Sequence, residues 1–405
     1  MKKILLLVLL LGLIISAFII FGGTHGGDIP TGARTAQEEP SVYIGVFESA
    51  ASDNVSGSAQ ERLGISFALS QNDRITIDGT EYLVELKYVD SSVKDFNEEN
   101  AAKALIESEK VSAILASDYD LSEQTAELFY QAGIPVIGAY SGRTAKAEGQ
   151  RLFFGVCSDC DLQAGALASF AYNKGFTSAA VVTKVGDGYS KDLGQLFQKE
   201  FTRLGGEVTE YHYNSAQRNF EELAAEIKGD KLQMVYFPGS CDMASLFVSH
   251  AREKGLNVPI MGAGQWDSVS LLKLLGSEAG EIYFSTPFQQ DSNDNKKFSD
   301  FVLQYREWIA NDSERAEKNG SHSYVSAYPA LGCDAFNFLI AAIKQADSTE
   351  PRLIAQALRT VEYDGIFGKL SFLPQEQAMK RTVYIKTINT RSGDFETVQQ
   401  SSAAK

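Results

Sequence analysis

The sequence predicts an α/β fold of two similar lobes, each with a parallel sheet, and three observations predict it. From Ser41 onward, short β-branched or aromatic runs alternate with amphipathic stretches, the pattern of repeated βαβ units. Most of the runs are short and apolar throughout, as strands covered on both faces should be. One phrase occurs twice: Gln131-Ala132-Gly133-Ile134-Pro135-Val136-Ile137 is echoed by Glu253-Lys254-Gly255-Leu256-Asn257-Val258-Pro259-Ile260, which implies two related halves.

Strands are expected at residues 42–47, 82–89, 113–116, 135–139, 179–183, 207–213, 234–237, 259–262 and 282–286. Helices lie between them, with apolar residues at i, i+3, i+4 and i+7, as in Leu193, Leu196, Phe197, Phe201 and Leu204. Gly133, Gly175, Gly205 and Gly255 stand where these helices should stop, because glycine takes the left-handed conformation past a helix end without steric cost. The last third changes character. Long helices are expected at residues 296–310 and 324–345, Pro351 opens a shorter one over 351–360, and strands follow at 369–373 and 382–388.

The chain has 405 residues, 44% hydrophobic and 22% charged, a globular composition long enough for two lobes. Its net charge of −15 argues against nucleic acid as a partner, since neutralising phosphates needs a basic surface. Lys2 and Lys3 precede an apolar run over residues 4–21, the charged start and hydrophobic segment of an export signal. A run of about 18 residues can also span a bilayer as a helix. Residues 1–23 therefore read as a signal peptide or a retained membrane anchor, and residues 24–40, rich in Gly, Thr, Ala and Glu, as a linker. No cysteine directly follows the apolar run, which closes the simple lipoprotein route. The protein is expected outside the cytoplasm, in a periplasm or on the outer face of the cytoplasmic membrane.

Catalytic constellations are absent from the sequence. There is no G-x-S-x-G elbow, no G-x-x-x-x-G-K-[ST] loop and no H-E-x-x-H helix. His25, His212, His250 and His322 are scattered and read as surface or strand-edge residues. Gly186-Asp187-Gly188 follows a strand but lacks the third glycine of a dinucleotide fingerprint. Cys157 and Cys160 form a C-x-x-C, half a zinc site, while Cys241 and Cys333 stand alone. In an exported chain disulfides or buried thiols are the plainer reading, and spacing does not decide the pairing. No metal, cofactor or catalytic residue is assigned. A serine such as Ser141 would need a positioned base to act as a nucleophile, and no histidine lies in a predicted cleft loop. The chain reads as a binder rather than an enzyme.

Several further phrases occur in a specific order. Ile44-Gly45-Val46 opens the first strand, Ala132-Gly133-Ile134-Pro135-Val136-Ile137 precedes a loop, and Gly262-Ala263-Gly264-Gln265-Trp266-Asp267-Ser268 follows a later strand. Leu271-Leu272 comes next, then Gly280-Glu281-Ile282-Tyr283-Phe284, Ala330-Leu331-Gly332-Cys333-Asp334-Ala335, and Asp364-Gly365-Ile366-Phe367-Gly368-Lys369-Leu370-Ser371-Phe372. In this order and spacing, from about Ser41 to Val398, the chain resembles the type I periplasmic-binding proteins, specifically the branched-chain amino-acid (Leu/Ile/Val) binding family that feeds ABC transporters. The resemblance implies two Rossmann-like lobes joined by a three-crossover hinge near residues 154–161, 285–288 and 365–370. The N-terminal lobe would comprise residues 41–157 plus 287–366, and the C-terminal lobe residues 158–286 plus 367–398. It implies capture of a small polar solute by lobe closure and presentation to an ABC transporter permease in the membrane. The alternative is a membrane-anchored sensing module of the same fold that signals to a partner protein.

Carried onto this chain, the family's ligand positions fall on Glu48, Ser49 and Ser56 after the first strand, on Ser117, Asp118 and Tyr119, and on Tyr140 and Ser141. In the C-terminal lobe they fall on Tyr189, Ser240, Trp266 and Asp267. The chain departs from the amino-acid binders in two places. At Tyr140–Gly142, where the family's small Ser/Ala-Thr pattern would hold an α-carboxylate, this chain has a bulky Tyr and then a Gly, and the acidic partner of an α-ammonium, expected near Gly264, has Asp267 as its nearest candidate. Aromatic rings beside Glu48, Asp118 and Asp267 suit a cationic or flat polar solute. The expected ligand is an amino acid, an amide or a cationic compound.

Overall fold

Short apolar strands with helices between them build two sheets. The computed structural model describes residues 39–47, 55–89, 96–116, 121–139, 152–156, 160–275, 280–291, 296–372, 382–389 and 391–402. The chain divides into Met1–Glu39 and Pro40–Lys405, and every described strand and helix lies in the second unit. The apolar run over residues 4–21 lies outside the described residues, among which no helix is long and apolar enough to cross a membrane.

The first sheet comprises β1 (Ser41–Phe47), β2 (Arg74–Ile77), β3 (Thr80–Tyr88), β4 (Ala113–Ala116), β5 (Val136–Gly138) and β6 (Phe153–Gly155), in the order β2-β3-β1-β4-β5-β6. All neighbours are parallel except β2, which returns on β3. The hairpin between them turns on Asp78 and Gly79, both with positive φ, the pairing that a type I′ turn requires. Helices α1 (Val55–Gln71), α2 (Glu98–Glu107) and α3 (Glu123–Ala132) follow β1, β3 and β4. Gly133 ends α3 in the left-handed region, its N–H returning to Phe129 and Tyr130 carbonyls, and Gly175, Gly205 and Gly255 also have positive φ.

The second sheet runs β15-β14-β11-β10-β9-β7-β8. Its parallel part is β7 (Ser178–Lys184), β8 (Glu207–Tyr213), β9 (Met234–Tyr236), β10 (Ile260–Gly262) and β11 (Ile282–Thr286). Helices α4 (Cys160–Asn173), α5 (Gly188–Arg203), α6 (Glu221–Gly229), α7 (Cys241–Glu253) and α8 (Val269–Leu275) accompany these strands. In α5 the spaced residues Leu193, Phe197 and Phe201 are fully buried. Phe197 stacks on Tyr236 of β9 at 4.4 Å, and full burial of such a ring contributes about 2–3 kcal/mol.

Helices α9 (Lys296–Ala310), α10 (Ser313–Lys318), α11 (Ala327–Ala346) and α12 (Pro351–Leu358) return the chain to the first sheet, and a separate hairpin forms from β12 (Glu362–Gly365) and β13 (Gly368–Ser371). Then β14 (Thr382–Ile388) and β15 (Phe395–Ser402) close the edge of the second sheet, antiparallel to β11 and to each other. Helices α1 and α11 touch backbone to backbone. A Cβ on Gly64 would lie 2.0 Å from the Pro329 carbonyl oxygen, and one on Gly332 would lie 2.4 Å from that of Glu61, so only glycine permits this approach.

The chain passes from one sheet to the other between Gly155 and Cys160, back between Thr286 and Lys296, and again between Ser371 and Thr382. The third passage lies later than residues 365–370. Glu362–Gly365 pairs with Gly368–Ser371, and Val361, Ile366 and Leu370 pack in the apolar cluster that holds most of the first sheet's core. The helix expected from residue 324 begins at Ala327, because Ser326 is extended and Pro329 sits in the first turn, where its missing N–H costs nothing.

Candidate functional site

Ligands of open parallel sheets sit beyond the carboxyl ends of the strands, where neighbouring connections leave in opposite directions. In the first sheet β1 lies between β3 and β4, and in the second β7 lies between β8 and β9. The loops after β1, β4, β7, β9 and β10 therefore carry the candidate site. Glu48, Ser49, Ser117, Asp118, Tyr119, Tyr140 and Ser141 lie outside the described residues. Ser56 is placed by its backbone in the first turn of α1, and its side chain is outside the described set.

The second sheet's loops carry the candidates that the structure describes. After β7, Asp187 caps α5 by accepting from Ser190 N–H at 2.8 Å, which sets Tyr189 in the first turn, buried among Leu193, Phe197 and Tyr236. After β9, Ser240 caps α7, its Oγ accepting from Met243 N–H at 3.3 Å. Gly239 precedes it, and a Cβ there would meet Tyr213 Oη at 2.5 Å. After β10 a single 3-10 turn, Gly264–Trp266, lays the Trp266 ring on Gly262, where a Cβ would sit 2.0 Å from the indole. Trp266 Nε1 donates to Gly239 O at 3.1 Å. That is the indole's one hydrogen-bonding group, so the fully buried Trp266 ties the two loops together.

Asp267 is where the site differs from expectation. Its buried carboxylate accepts from Thr286 Oγ1 at 2.6 Å and from the Tyr324 hydroxyl. Lys386 of β14 reaches it at 3.5 Å and donates to Tyr324 Oη at 2.7 Å. Burial pushes the Tyr324 hydroxyl well up, reinforced by Asp267. Burial also pushes Lys386 down, and Asp267 opposes that shift. Two opposite charges removed from water together form a locally neutral unit, so one of the three carboxylates expected to meet a cationic solute is already answered within the chain, while Glu48 and Asp118 lie outside the described residues. The legible signal was Lys386 itself, a lysine directly after the apolar run Val383-Tyr384-Ile385, since a buried ammonium needs a partner.

Sequence reasoning also missed the buried polar residues of the helix starts. Ser58, Gln60 and Glu61 in the first turns of α1 and Gln163 in α4 are buried. Polar residues on the inward side of a helix start were the available signal. Among the described residues, Ser58 Oγ and Ser285 Oγ are buried with no hydrogen-bond partner from the chain, and buried hydroxyls are ordinarily bonded. Ser285 lies near the carboxyl end of β11.

Elsewhere, Glu221, His250 and Glu253 bring metal-ligating atoms together. Lys254 already pairs with Glu221, and His250 Nδ1 accepts from Phe220 N–H at 3.3 Å, so two of the three groups are engaged within the chain. Cys241 and Cys333 are buried thiols, and burial pushes Cys333 well up, which keeps it protonated and unreactive. Cys157 and the side chain of Cys160 lie outside the described set.

Two mostly parallel sheets are crossed by the chain, with capped helix starts after β7 and β9. The chain belongs to the periplasmic binding protein family, whose profile matches residues 41–394. Its members are substrate-binding proteins that work outside the cytoplasm, and they are not enzymes. The chain is 20% identical over 367 residues to the Leu/Ile/Val-binding protein homolog 1 of Brucella abortus, covering 89% of this chain and 90% of that one. It also superposes on two solved relatives. One is the branched-chain amino acid transporter substrate binding protein LivJ from Streptococcus pneumoniae in complex with isoleucine, with TM-score 0.73, 20% identity, and 90% of this chain and 99% of that chain covered. The other is a solute binding protein of an ABC transporter from Rhodopseudomonas palustris in complex with 3,4-dihydroxybenzoic acid, with TM-score 0.73, 17% identity, and 90% and 98% covered. At these identities the likeness establishes the fold.

Proposed function

We propose that this protein is the extracytoplasmic receptor of an ABC importer and that it captures a small polar solute by closing its two halves. The solute belongs to the amino acids or the aromatic acids, the classes held by the two solved relatives. The observation that carries the reading is the neutral pairing of Asp267 with Lys386. Without an unanswered carboxylate at Asp267, the second sheet's wall offers Tyr189, Ser240 and the unpartnered Ser285 hydroxyl, which suits a flat or hydrogen-bonding solute better than a polyamine. From the first half, the reading assigns Glu48, Ser49, Ser56, Ser117, Asp118, Tyr119, Tyr140 and Ser141 to the same solute. The apolar run over residues 4–21 would deliver the protein to the membrane's outer face, as signal or anchor.

The test is the thermal midpoint against isoleucine and other amino acids, hydroxybenzoates, amides and polyamines. A solute that binds only the folded state adds about 2.7 kcal/mol at a hundredfold excess over its dissociation constant. A shift with an amino acid or a hydroxybenzoate supports the reading, and a shift with polyamines alone overturns the solute class. Silence across the panel transfers the weight to a sensing module that reports to a protein partner.

A further inference from the structure

Residues 320–328, from just past α10 into the first turn of α11, leave the other helices of the first half and lie against the second. At Gly320 a Cβ would come within 3.0 Å of Val269 Cγ1 in α8, and His322 Nε2 lies 3.7 Å from the Asp394 carboxylate. Tyr324 packs edge-on against Phe395 of β15 at 5.1 Å and belongs to the second half's apolar core, with its hydroxyl between Asp267 and Lys386. Tyr328 Oη donates to the Gln265 carbonyl at 3.2 Å. Beside this strap, Gln60 of α1 donates from Nε2 to Ser268 Oγ at 3.1 Å and accepts from Ser326 Oγ at 2.6 Å. The strap is held from its own side too, since Arg306 of α9 donates to Ser323 O at 2.7 Å and Gln290 Oε1 accepts from Val325 N–H at 3.0 Å.

Gln60, Tyr324, Ser326, Asp267, Ser268 and Lys386 are all buried. A rotation of the halves that separated them would strand donors and acceptors away from water, which costs more than the bonds contribute when made. Three covalent passages alone permit hinge rotation, whereas a buried polar seam has discrete arrangements. We infer that the strap is a fourth, non-covalent link that sets the angle between the halves, and that Tyr324 and Gln60 are positioning residues for solute capture. They act on the solute through the angle at which the two walls meet, by changing the population of the competent arrangement. The inference rests on the reading that a solute is held between the halves.

The test uses the full-length protein, its Tyr324→Phe and Gln60→Met variants, and Val302→Ala in α9 as a destabilised control away from the seam. Tyr324→Phe keeps the ring against Phe395 and removes only the hydroxyl. Amide hydrogen exchange without solute comes first, followed by calorimetric titration with isoleucine and with 3,4-dihydroxybenzoate. Both seam variants should speed exchange over residues 264–269 as well as 320–328, and should weaken whichever probe binds the parent about five- to twentyfold, mainly through faster release. Val302→Ala should lower the thermal midpoint and leave the dissociation constant unchanged. Unchanged exchange over residues 264–269 in Tyr324→Phe overturns the inference, as does an unchanged dissociation constant in variants whose midpoint falls. If neither probe binds the parent, the proposed solute class has failed, while the exchange experiment still decides whether the strap joins the halves.

Discussion

Asp267 and Asp334 are both fully buried, and the chain answers their charges in different ways. Asp267 faces an ammonium from a strand 119 residues away, together with two hydroxyls. Asp334, in α11, instead accepts backbone N–H groups from Ile366 at 2.9 Å and Phe367 at 3.1 Å, in the turn between β12 and β13. Lys297, the lysine that pulls on it, is engaged with the side chain and carbonyl of Asp364. Burial therefore pushes the Asp334 carboxyl up to about 7, against the pull of those two N–H groups. An ammonium joins the first aspartate to a distant strand, whereas two amides, the Tyr363 side chain and the pull of Lys297 leave the second poised to take a proton near neutrality.

Breaking the first joint should produce the largest effect. Lys386→Met strands Asp267 in a dry site and should cost about 3–5 kcal/mol of unfolding free energy in urea titration. The double variant Lys386→Met with Asp267→Leu should recover much of that loss, because the unanswered charge is gone. A loss from Lys386→Met as small as that of an exposed lysine would show that the pair is hydrated rather than buried.

Asp334 should reveal itself through pH. Its folded value of about 7 lies above the ordinary 3.8, so between those values the folded chain holds a proton that the unfolded chain has released. Its contribution is then fully present below pH ~4 and is lost as pH rises toward ~7, at up to roughly 1.4 kcal/mol per unit. The difference between the parent and Asp334→Asn in urea midpoint, followed from pH 4.5 to 7.5, isolates this slope from other carboxylates. A flat difference would mean that Asp334 is ionised throughout.

A smaller effect tests the turn that Asp334 holds. A Cβ on Gly365 would lie 2.6 Å from Asp334 Oδ2, so Gly365→Ala must push the carboxylate away from its amides and should cost about 1–3 kcal/mol. The smallest effect belongs to the surface pair of Lys254 with Glu221, where both partners are exposed. Lys254→Ala should leave the unfolding midpoint unmoved within measurement, since exposed pairs are screened by solvent.

Much of the fold was legible. The strand over residues 113–116, the strand over 207–213 and the helix over 296–310 coincide with β4, β8 and α9, because apolar period and flanking glycines are local signals. The edge strand β2 went unread although Asp78-Gly79 beside the alternating Arg74-Ile75-Thr76-Ile77 was a hairpin signal. By contrast β15, with the sequence Phe-Glu-Thr-Val-Gln-Gln-Ser-Ser, offers little alternation to read, and its pairing with β14 is what makes it a strand. Of the candidate site, Tyr189 and Ser240 stand at capped helix starts beside the second sheet's switch point, while Asp267 is answered by Lys386, Thr286 and Tyr324 within the chain.

Alternation of apolar runs with amphipathic stretches, glycines past helix ends and a proline opening a helix sufficed to announce two α/β halves and their order, because each rests on residues a few positions apart. Which charges meet is another matter. Lys386 finds Asp267, Gln60 finds Ser268 across 208 residues, and Tyr324 enters the core of the other half, none of which leaves any trace in spacing. Only the folded chain brings such groups into one dry place, and there the cost of burying a charge alone selects its partner.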